Sequence, residues 1–308
     1  MSRGLRLLVA IMVVVTAAGS AEAVTFSNGD VFAAIIGGVR HYTDSGALLE
    51  TLTTGGGSYN TGMAFDSGGN LYVTNFGTSN VSKFSNTGAS LGFFGSGYST
   101  PESIVFDNAG NAYVGNLLNG IRKYSAAGAY LATSYGGRVD WLDLAADQQT
   151  MFFTDEGTTI KRHDVVTNAV LPVFASGLSH AYALRILADG GVLVADTGNV
   201  KRYNAAGALI QTYDVGGEDT WFSLNLNPGG ASFWSGNFGT GTLYEFDLAS
   251  GAMTQMITTG VSSGSLFGVA IFGEATQGCQ DCGSVPAPAA VVLIGAALLV
   301  GAAVRRLA

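Results

Sequence analysis

Short apolar runs of about five residues, separated by Gly, Asn and Asp, recur through the middle of the chain. Residues 62–75 and 103–116 match almost position for position, at an offset of 41 residues. Copies of the same pattern follow at residues 142–155, 184–196 and 224–237. Each copy continues into a third run that ends in an aromatic residue or His, and then into a fourth. Four short strands per roughly 40 residues, joined by tight turns, are typical of one β-propeller blade.

The two ends of this array each carry an incomplete blade. Residues 30–34 form a predicted second strand with no first strand before it, and residues 39–42 and 47–50 supply the third and fourth. At the far end, residues 267–272 form a first strand with no blade after it. Pairing these pieces would close the ring and remove two exposed sheet edges. The sequence therefore predicts an all-β, six-bladed propeller over residues 24–273, with four-stranded antiparallel blades and one blade shared between the two termini.

The composition agrees with a turn-rich β-protein and excludes several other classes. The 308 residues include 45 Gly and 5 Pro, while charged residues make up only 12%. Collagen needs Gly at every third position, coiled coils need charge-rich heptads, and disordered chains lack the 47% hydrophobic content found here. Residues 24–284 hold 10 basic and 21 acidic side chains, a net charge of −11. Such a surface repels DNA and RNA, so nucleic acid is excluded as a partner.

The first 23 residues have the three parts of a secretory signal peptide. Arg3 and Arg6 give a positive start, an apolar stretch follows, and residues 21–23 (Ala-Glu-Ala) fit the small-x-small pattern of a cleavage site. The alternative is an uncleaved membrane anchor, for which the apolar stretch is short. We therefore predict that residues 1–23 are a signal peptide and that the rest of the chain is exported.

The C-terminus has the order of a membrane-anchored tail. Residues 274–288 are a predicted linker, residues 289–304 carry no charge, and Arg305 and Arg306 follow them. The uncharged stretch is short for a bilayer, which needs roughly 20 residues, but neighbouring residues can extend it. The arginines should stay on the cytoplasmic side. We therefore predict a single transmembrane helix with a basic tail at residues 289–306, which holds the propeller outside the inner membrane.

This tail resembles the PEP-CTERM sorting signal of Gram-negative bacteria over about the last two dozen residues. The motif Val-Pro-Ala-Pro at residues 285–288 stands before the apolar span, and Ala287 replaces the Glu that the family usually has there. The resemblance implies recognition by an exosortase-type sorting machinery. It also implies a location at the membrane, the cell surface or the extracellular matrix of a Gram-negative bacterium. An ordinary C-terminal membrane anchor would give the same topology.

Cys279 and Cys282 are the only cysteines and form a Cys-x-x-Cys motif between the last repeat and the tail. A zinc site would need more ligands than these two and a thioredoxin-type site would need a βαβ unit, neither of which the surrounding sequence supplies. In an exported chain a small local disulfide is therefore the favoured interpretation. Attachment to another thiol is the alternative.

The repeats resemble those of NHL-repeat and gluconolactonase-like six-bladed β-propellers. The resemblance is carried by the Phe-Asp-x-x-Gly-Asn-x-Tyr-Val cores that begin at Phe65 and Phe106, and by residues 194–199 (Val-Ala-Asp-Thr-Gly-Asn). It spans roughly residues 26–272. The resemblance implies the fold, whereas function varies among such propellers, which bind proteins, bind sugars, hydrolyse lactones or cleave macrocycles.

One face of such a propeller is formed by the segments before the first strands and the loops after the second strands. Loops on a rigid scaffold are where sites are normally built. The predicted ligand-binding residues on this face are Glu102, Trp141, His180, Tyr182, Glu218, Asp219 and Trp221. The same face also carries Tyr59, Asn60, Asp140, Phe267, Asn75, Phe76, Asn116, Asp155, Glu156, Asp196, Asn237 and Phe238. Aromatic rings beside carboxylates suit a carbohydrate or a calcium-bridged ligand.

Two functions fit the sequence. The first is a non-enzymatic, exported binding or matrix module, whose partner is an extracellular polysaccharide, a protein or a small molecule. The second, implied by the lactonase-like resemblance, is a calcium-assisted hydrolase or lyase in which Ca²⁺ is held by Glu102, Asn116, Asp155 or Asp196. The Asn or Asp that recurs after the second strand is, however, more often a cap for loop backbone groups than a ligand. The sequence therefore favours the binding module over the enzyme.

Overall fold

The computed structural model describes residues 24–55, 57, 59–279 and 282, which fold into six four-stranded antiparallel sheets. In chain order the strands are β1 Val31–Ile35, β2 Gly38–Tyr42, β3 Leu48–Thr53, β4 Asn60–Phe65, β5 Leu71–Asn75, β6 Asn80–Phe84, β7 Ser90–Phe93, β8 Pro101–Phe106, β9 Ala112–Asn116, β10 Gly120–Tyr124, β11 Tyr130–Tyr135, β12 Leu142–Leu144, β13 Thr150–Phe153, β14 Thr159–Asp164, β15 Ala169–Ser176, β16 Ala181–Ile186, β17 Val192–Asp196, β18 Asn199–Tyr203, β19 Leu209–Tyr213, β20 Trp221–Leu226, β21 Ser232–Asn237, β22 Thr242–Asp247, β23 Met253–Thr258 and β24 Leu266–Ile271. The predicted all-β, six-bladed propeller is confirmed.

One blade is built from both ends of the array. Its strand order is β24-β1-β2-β3, with Ile271 opposite Val31 and Ala270 opposite Phe32. The other five blades each use four consecutive strands. The prediction that the first and last strands close the ring side by side is therefore confirmed. The closure hides both end strands from edge-to-edge pairing.

The turn between the first and second strands shows why the repeated sequence folds as it does. The Asp66 carboxylate accepts hydrogen bonds from the backbone N–H groups of Gly68 and Asn70, both at 2.9 Å. Gly69 has a positive φ of +75°, a conformation that glycine adopts without steric cost. The next blade repeats this arrangement, since Asp107 accepts from the N–H of Asn111 at 2.8 Å. The Asp-x-x-Gly-Asn spacing thus specifies this turn.

The first strands stand next to one another around a central channel. Strands β4, β8, β12, β16, β20 and β24 each contact the next in this order, and β24 contacts β4. Every residue of β8 and β24 is buried, whereas every residue of the outer strand β7 is exposed. We call the end of the channel where these first strands begin the upper end, and the end where they finish the lower end.

The chain after β24 closes the lower end of the channel. The Glu274 carboxylate accepts hydrogen bonds from Arg185 Nε at 2.7 Å, from Asn225 Nδ2 at 2.6 Å and from the Leu226 backbone N–H at 2.9 Å. The side chains of Arg185 and Glu274 are only 4% and 8% exposed. A buried charge is stable only when it is paired and hydrogen-bonded. This ion pair therefore fixes the end of the chain to the channel.

The described part of the predicted linker, residues 274–279 and 282, continues along the same lower face. Gln148 donates a hydrogen bond through Nε2 to the carbonyl of Gly278 at 2.9 Å. Cys279 and Cys282 are joined by a disulfide and pack in a hydrophobic cluster that includes Phe106. This segment therefore covers the lower end of the channel, and the mouth described below lies at the upper end.

The lower end also contains a buried acid that should make stability depend on pH. Burial raises the pKa of Asp143 to about 6, an effect that exceeds the opposing influence of Arg185. Because the folded chain then holds this proton more tightly than the unfolded chain, the contribution of Asp143 to the free energy of unfolding falls as pH rises from about 4 to 6. Asp143→Asn should remove this fall. Urea unfolding of both proteins at several pH values measures it, and parallel pH profiles would contradict the assignment.

Two predicted segments lie outside the described residues, namely the signal peptide at residues 1–23 and the transmembrane tail at residues 289–306. Within the part of the chain that the structure describes, no helix is both long enough and apolar enough to span a membrane.

Candidate functional site

Six equivalent positions, one from each blade, surround the upper end of the channel. Each first strand ends at a residue that pairs with the start of the second strand, as Phe65 pairs with Leu71. Each of the six positions lies four residues before that end. In ring order these positions are Thr61, Glu102, Asp140, Tyr182, Phe222 and Phe267. Three adjacent blades therefore contribute polar side chains to the mouth, and the other three contribute aromatic rings.

β-Bulges explain how side chains at these positions come to line the mouth. Glu102 is an extra residue in β8, because the residues on either side of it, Pro101 and Ser103, pair with Asn116 and Gly115, which are consecutive in β9. Phe222 and Phe267 are the extra residues of β20 and β24 in the same way. A bulge bends its strand and can turn one side chain towards a different direction from that of a regular strand. The bulges thus build the mouth on the rigid first strands rather than on mobile loops.

A continuous row of rings, which we call the aromatic arc, follows half of the mouth. It consists of His180, Tyr182, Phe222, Phe238, Phe267 and Tyr59. Successive ring centroids in this order are 6.5, 4.8, 5.7, 5.3 and 5.2 Å apart. These separations are those of offset and edge contacts between rings. The arc is therefore an apolar wall in which each ring is supported by its neighbours.

The aromatic arc opens on a cavity of about 250 Å³. This volume is slightly below that of typical small-molecule pockets, which are roughly 300–1,000 Å³, so the cavity suits a compact chemical group. The lining residues are Tyr59, Thr61, Phe76, Glu102, Phe222, Phe238 and Phe267, of which five are aromatic and one is charged. A ligand in this cavity would consequently meet rings on most sides and a single carboxyl group.

Beside the cavity lies a group of three acids, Glu102, Asp140 and Glu156, which we call the carboxylate cluster. One oxygen from each of the three lies within 4.8 Å of the others. Glu102 and Asp140 are 5% and 0% exposed. Arg138 holds the cluster together, with Nε at 2.8 Å from Asp140 and Nη2 at 2.5 Å from Glu156. The cluster therefore has an internal counter-charge, provided by the connection that precedes β12.

Glu102 is protonated more readily than an ordinary glutamate. Burial raises its pKa well above the usual value, and the Asp140 and Glu156 carboxylates raise it further, while Arg138 has a weaker opposite effect. Like charges in close contact cannot all ionise. Burial and the two neighbouring acids therefore favour the protonated form of Glu102, which is hydrogen-bonded to Asp140. Three carboxyl groups face a single guanidinium, so the mouth remains acidic even when one of the acids is protonated.

Asn116, one of the candidate calcium ligands, caps the backbone of its own blade. Its carbonyl oxygen accepts from the Ser99 N–H at 3.1 Å, and its amide donates to the carbonyls of Val114 and Gly120 at 3.0 and 3.1 Å. The side chain is fully buried. Asn116 therefore caps backbone groups, as the recurrence of Asn or Asp after the second strands indicated.

Asp155 and Asp196, the other two candidates, are paired with lysines. Asp155 forms an ion pair with Lys161, and Asp196 forms one with Lys201. Asp196 also accepts hydrogen bonds from backbone N–H groups, including that of His180 at 2.7 Å. Among the described residues, neither acid belongs to a group whose ligand atoms converge within 4.8 Å, whereas Glu102 does. The carboxylate cluster, in which Arg138 pairs with Asp140 and Glu156, is thus the only such acidic group in the described ranges.

The remaining predicted ligand-binding residues divide between the aromatic arc and the core. Tyr182 and His180 belong to the arc, and His180 is exposed at its end. Trp141 is buried behind the arc, with its ring 6.2 Å from that of Phe222. Trp221 is fully buried against Tyr244. The indole rings thus support the mouth from within.

Glu218 and Asp219 lie in the loop that precedes β20. The Glu218 carboxylate accepts hydrogen bonds from Thr240 Oγ1 at 2.9 Å and from the Tyr244 hydroxyl at 2.7 Å. Asp219 is exposed. Neither residue lines the cavity beside the aromatic arc.

Three residues of the site were not identified from the sequence, namely Thr61, Phe222 and Arg138. Phe222 stands at the centre of the aromatic arc, and Arg138 neutralises part of the carboxylate cluster. Aligning the blades from the end of each first strand would have revealed Phe222, because it occupies the same position as Glu102 and Tyr182. No comparable signal marks Arg138, which lies in a connection of irregular length.

Comparison with known proteins identifies the fold alone. A chain in a solved structure entitled "Crystal structure of Nidogen/Laminin Complex" superposes with a TM-score of 0.66 and 14% sequence identity, covering 78% of this chain and 97% of that chain. No protein-family model matches the sequence. No curated protein matches it either. The propeller architecture is therefore shared with known structures, and function must be argued from the mouth itself.

Proposed function

We propose that this chain is an exported β-propeller binding module whose ligand site is the upper mouth of the channel. The observation that carries the proposal is the division of six equivalent positions into three polar and three aromatic residues around one cavity. Packing of similar blades does not require this asymmetry. A ligand with one apolar side and one polar side does require it.

The chemistry of the mouth supports binding rather than hydrolysis. Arg138 pairs with Asp140 and Glu156, and Glu102 is hydrogen-bonded to Asp140. A calcium-assisted reaction would need these oxygens to be directed at a metal. The geometry instead satisfies the three carboxyl groups internally, which suits a preformed binding wall.

Export and retention are part of the same proposal. The signal-peptide pattern of residues 1–23 and the disulfide between Cys279 and Cys282 support a location outside the cytosol, where disulfides persist. The apolar tail at residues 289–306 would then anchor the propeller or serve an exosortase-type machinery. A partner such as an extracellular polysaccharide, a protein or a small molecule would reach the mouth from the side opposite to Cys282, the last described residue, which packs at the lower end.

A binding screen of the purified full chain against glycans and small molecules tests the proposed site. Ligands of the mouth should lose at least about tenfold in affinity when Phe222 is replaced by alanine, because this ring is the centre of the aromatic arc. Phe93→Ala is the matched control, since Phe93 is 59% exposed on an outer strand. A thermal melt establishes that each variant is folded.

Two outcomes would refute this site. Binding that is equally strong in Phe222→Ala and in the unmodified chain would place the ligand elsewhere. Binding that is lost in Phe93→Ala but kept in Phe222→Ala would assign it to the outer strands.

A further inference from the structure

We propose that the mouth binds a methylated ammonium group, held between the aromatic arc and the carboxyl group of Glu102. This inference rests on the proposed function and specifies the chemical class of the ligand. The juxtaposition that carries it is a cavity lined by five aromatic residues, to which Glu102 contributes the one carboxyl group.

The aromatic arc provides the first half of the recognition. The π-face of an aromatic ring attracts cations, and several rings around one cavity are the usual means of binding quaternary ammonium groups. The methyl groups of such a cation are apolar, so they can leave water and pack against Phe222, Phe238 and Phe267 without losing hydrogen bonds. A primary ammonium would lose its strong hydration in the same place.

The charge of the mouth provides the second half. The groups that face Glu102 are Asp140, Glu156 and Arg138, and together they leave the mouth acidic. A cation placed against Glu102 would favour its ionised form. Binding should therefore release a proton, in contrast to the binding of a neutral molecule of the same shape.

Other ligand classes fit the cavity less well. An anion would be repelled by the carboxylate cluster. A carbohydrate needs many hydrogen-bonding partners, but the non-aromatic lining consists of only Thr61 and Glu102. Sugar hydroxyl groups buried against the aromatic arc would be left without partners, which is costly.

Titration calorimetry of the purified full chain with choline, and with its neutral isostere 3,3-dimethylbutan-1-ol, tests the inference. Choline should bind at least about tenfold more tightly than the isostere. Buffers of different ionisation enthalpy should reveal proton release with choline alone. High salt should weaken choline binding and leave the isostere unaffected.

Two variants isolate the two halves of the site. Glu102→Gln resembles the protonated acid in shape, so it should fold normally while weakening choline binding about tenfold. Phe238→Leu removes a ring but keeps an apolar side chain, and should weaken choline binding about fivefold. Asp189→Asn, at a lower-face turn where the carboxylate side chain is 55% exposed, is the control and should change neither affinity.

The outcomes separate this inference from the proposed function. Equal affinity for choline and the isostere, or choline binding that is unchanged in Glu102→Gln, would overturn the ligand class. A second outcome is that choline does not bind even at about 10 mM, while another ligand binds and its binding is lost in Phe222→Ala. In that case the proposed ligand class is wrong, and the proposed binding module stands. If every ligand found is insensitive to Phe222→Ala, the proposed function itself fails.

Discussion

Replacing Glu274 by alanine is expected to lower the free energy of unfolding by about 3–5 kcal/mol. The substitution leaves the Arg185 guanidinium, 4% exposed, inside the lower end of the channel without its carboxylate partner. It also removes the acceptor for Asn225 and for the backbone N–H of Leu226. Removing one partner of a buried ion pair costs more stability than the intact pair contributes, because the remaining charge stays buried without water or a counter-charge.

Urea unfolding followed by tryptophan fluorescence measures this effect. Asp189→Ala provides the matched control, since Asp189 pairs with Arg202 at 3.0 Å and is 55% exposed. That exposed pair should contribute less than about 1 kcal/mol. Equal losses in the two variants would contradict the role assigned to Glu274. The double variant Arg185→Met, Glu274→Met should recover part of the lost stability, because no buried cation is left unpaired and Asp143, which loses its positive neighbour Arg185, can take up a proton.

Replacing Gly268 by alanine is expected to destabilise the protein by about 3 kcal/mol. Gly268 lies on β24, where this strand passes the first strand of the next blade. A β-carbon at this position would overlap the backbone carbonyl oxygen of Thr61 and would lie 3.0 Å from the β-carbon of Ala34. The overlapped atom is backbone, so no side-chain rotation can relieve the contact. The strands that close the ring would have to separate, and Phe267 beside them would shift out of the aromatic arc.

Gly216→Ala is the control for this substitution. Gly216 is exposed, and no atom lies within 4 Å of the position of an added β-carbon. Alanine there should leave stability unchanged or raise it slightly, because it restricts the unfolded chain. Thermal unfolding of the two variants provides the comparison. Similar melting temperatures for both would show that the closing strands tolerate a side chain.

The fold was predictable because each blade contains its own sequence signals for strands and turns. The Asp-x-x-Gly-Asn turn at residues 66–70 and the short apolar runs beside it are local signals, and they recur in neighbouring blades. The shared blade followed from counting strands at the two ends, since an unpaired strand edge is unfavourable at both. The pairing of Val31 with Ile271 shows that this local and topological information was sufficient.

The candidate site was only partly predictable. Glu102 and Tyr182 were both predicted as ligand-binding residues on the upper face, and both lie at the mouth. Phe222 was missed because the bulge that makes it an extra residue has no sequence signal of its own, and only an alignment of the blades from the ends of their first strands places it at the position of Glu102. The raised pKa of Glu102 likewise depends on acids contributed by the next blade.

The sequence by itself determined the number of blades, their strand order and the closure of the ring, because these depend on repeated short-range patterns of apolar and turn residues. Only the tertiary structure decided which side chains meet at the ends of the channel. Arg185 and Glu274 are separated by 89 residues, and Glu102 and Phe222 by 120, with no periodicity that connects them. Such pairs are brought together by the curvature of the whole ring and by local bulges, and those are properties of the folded chain rather than of any one repeat.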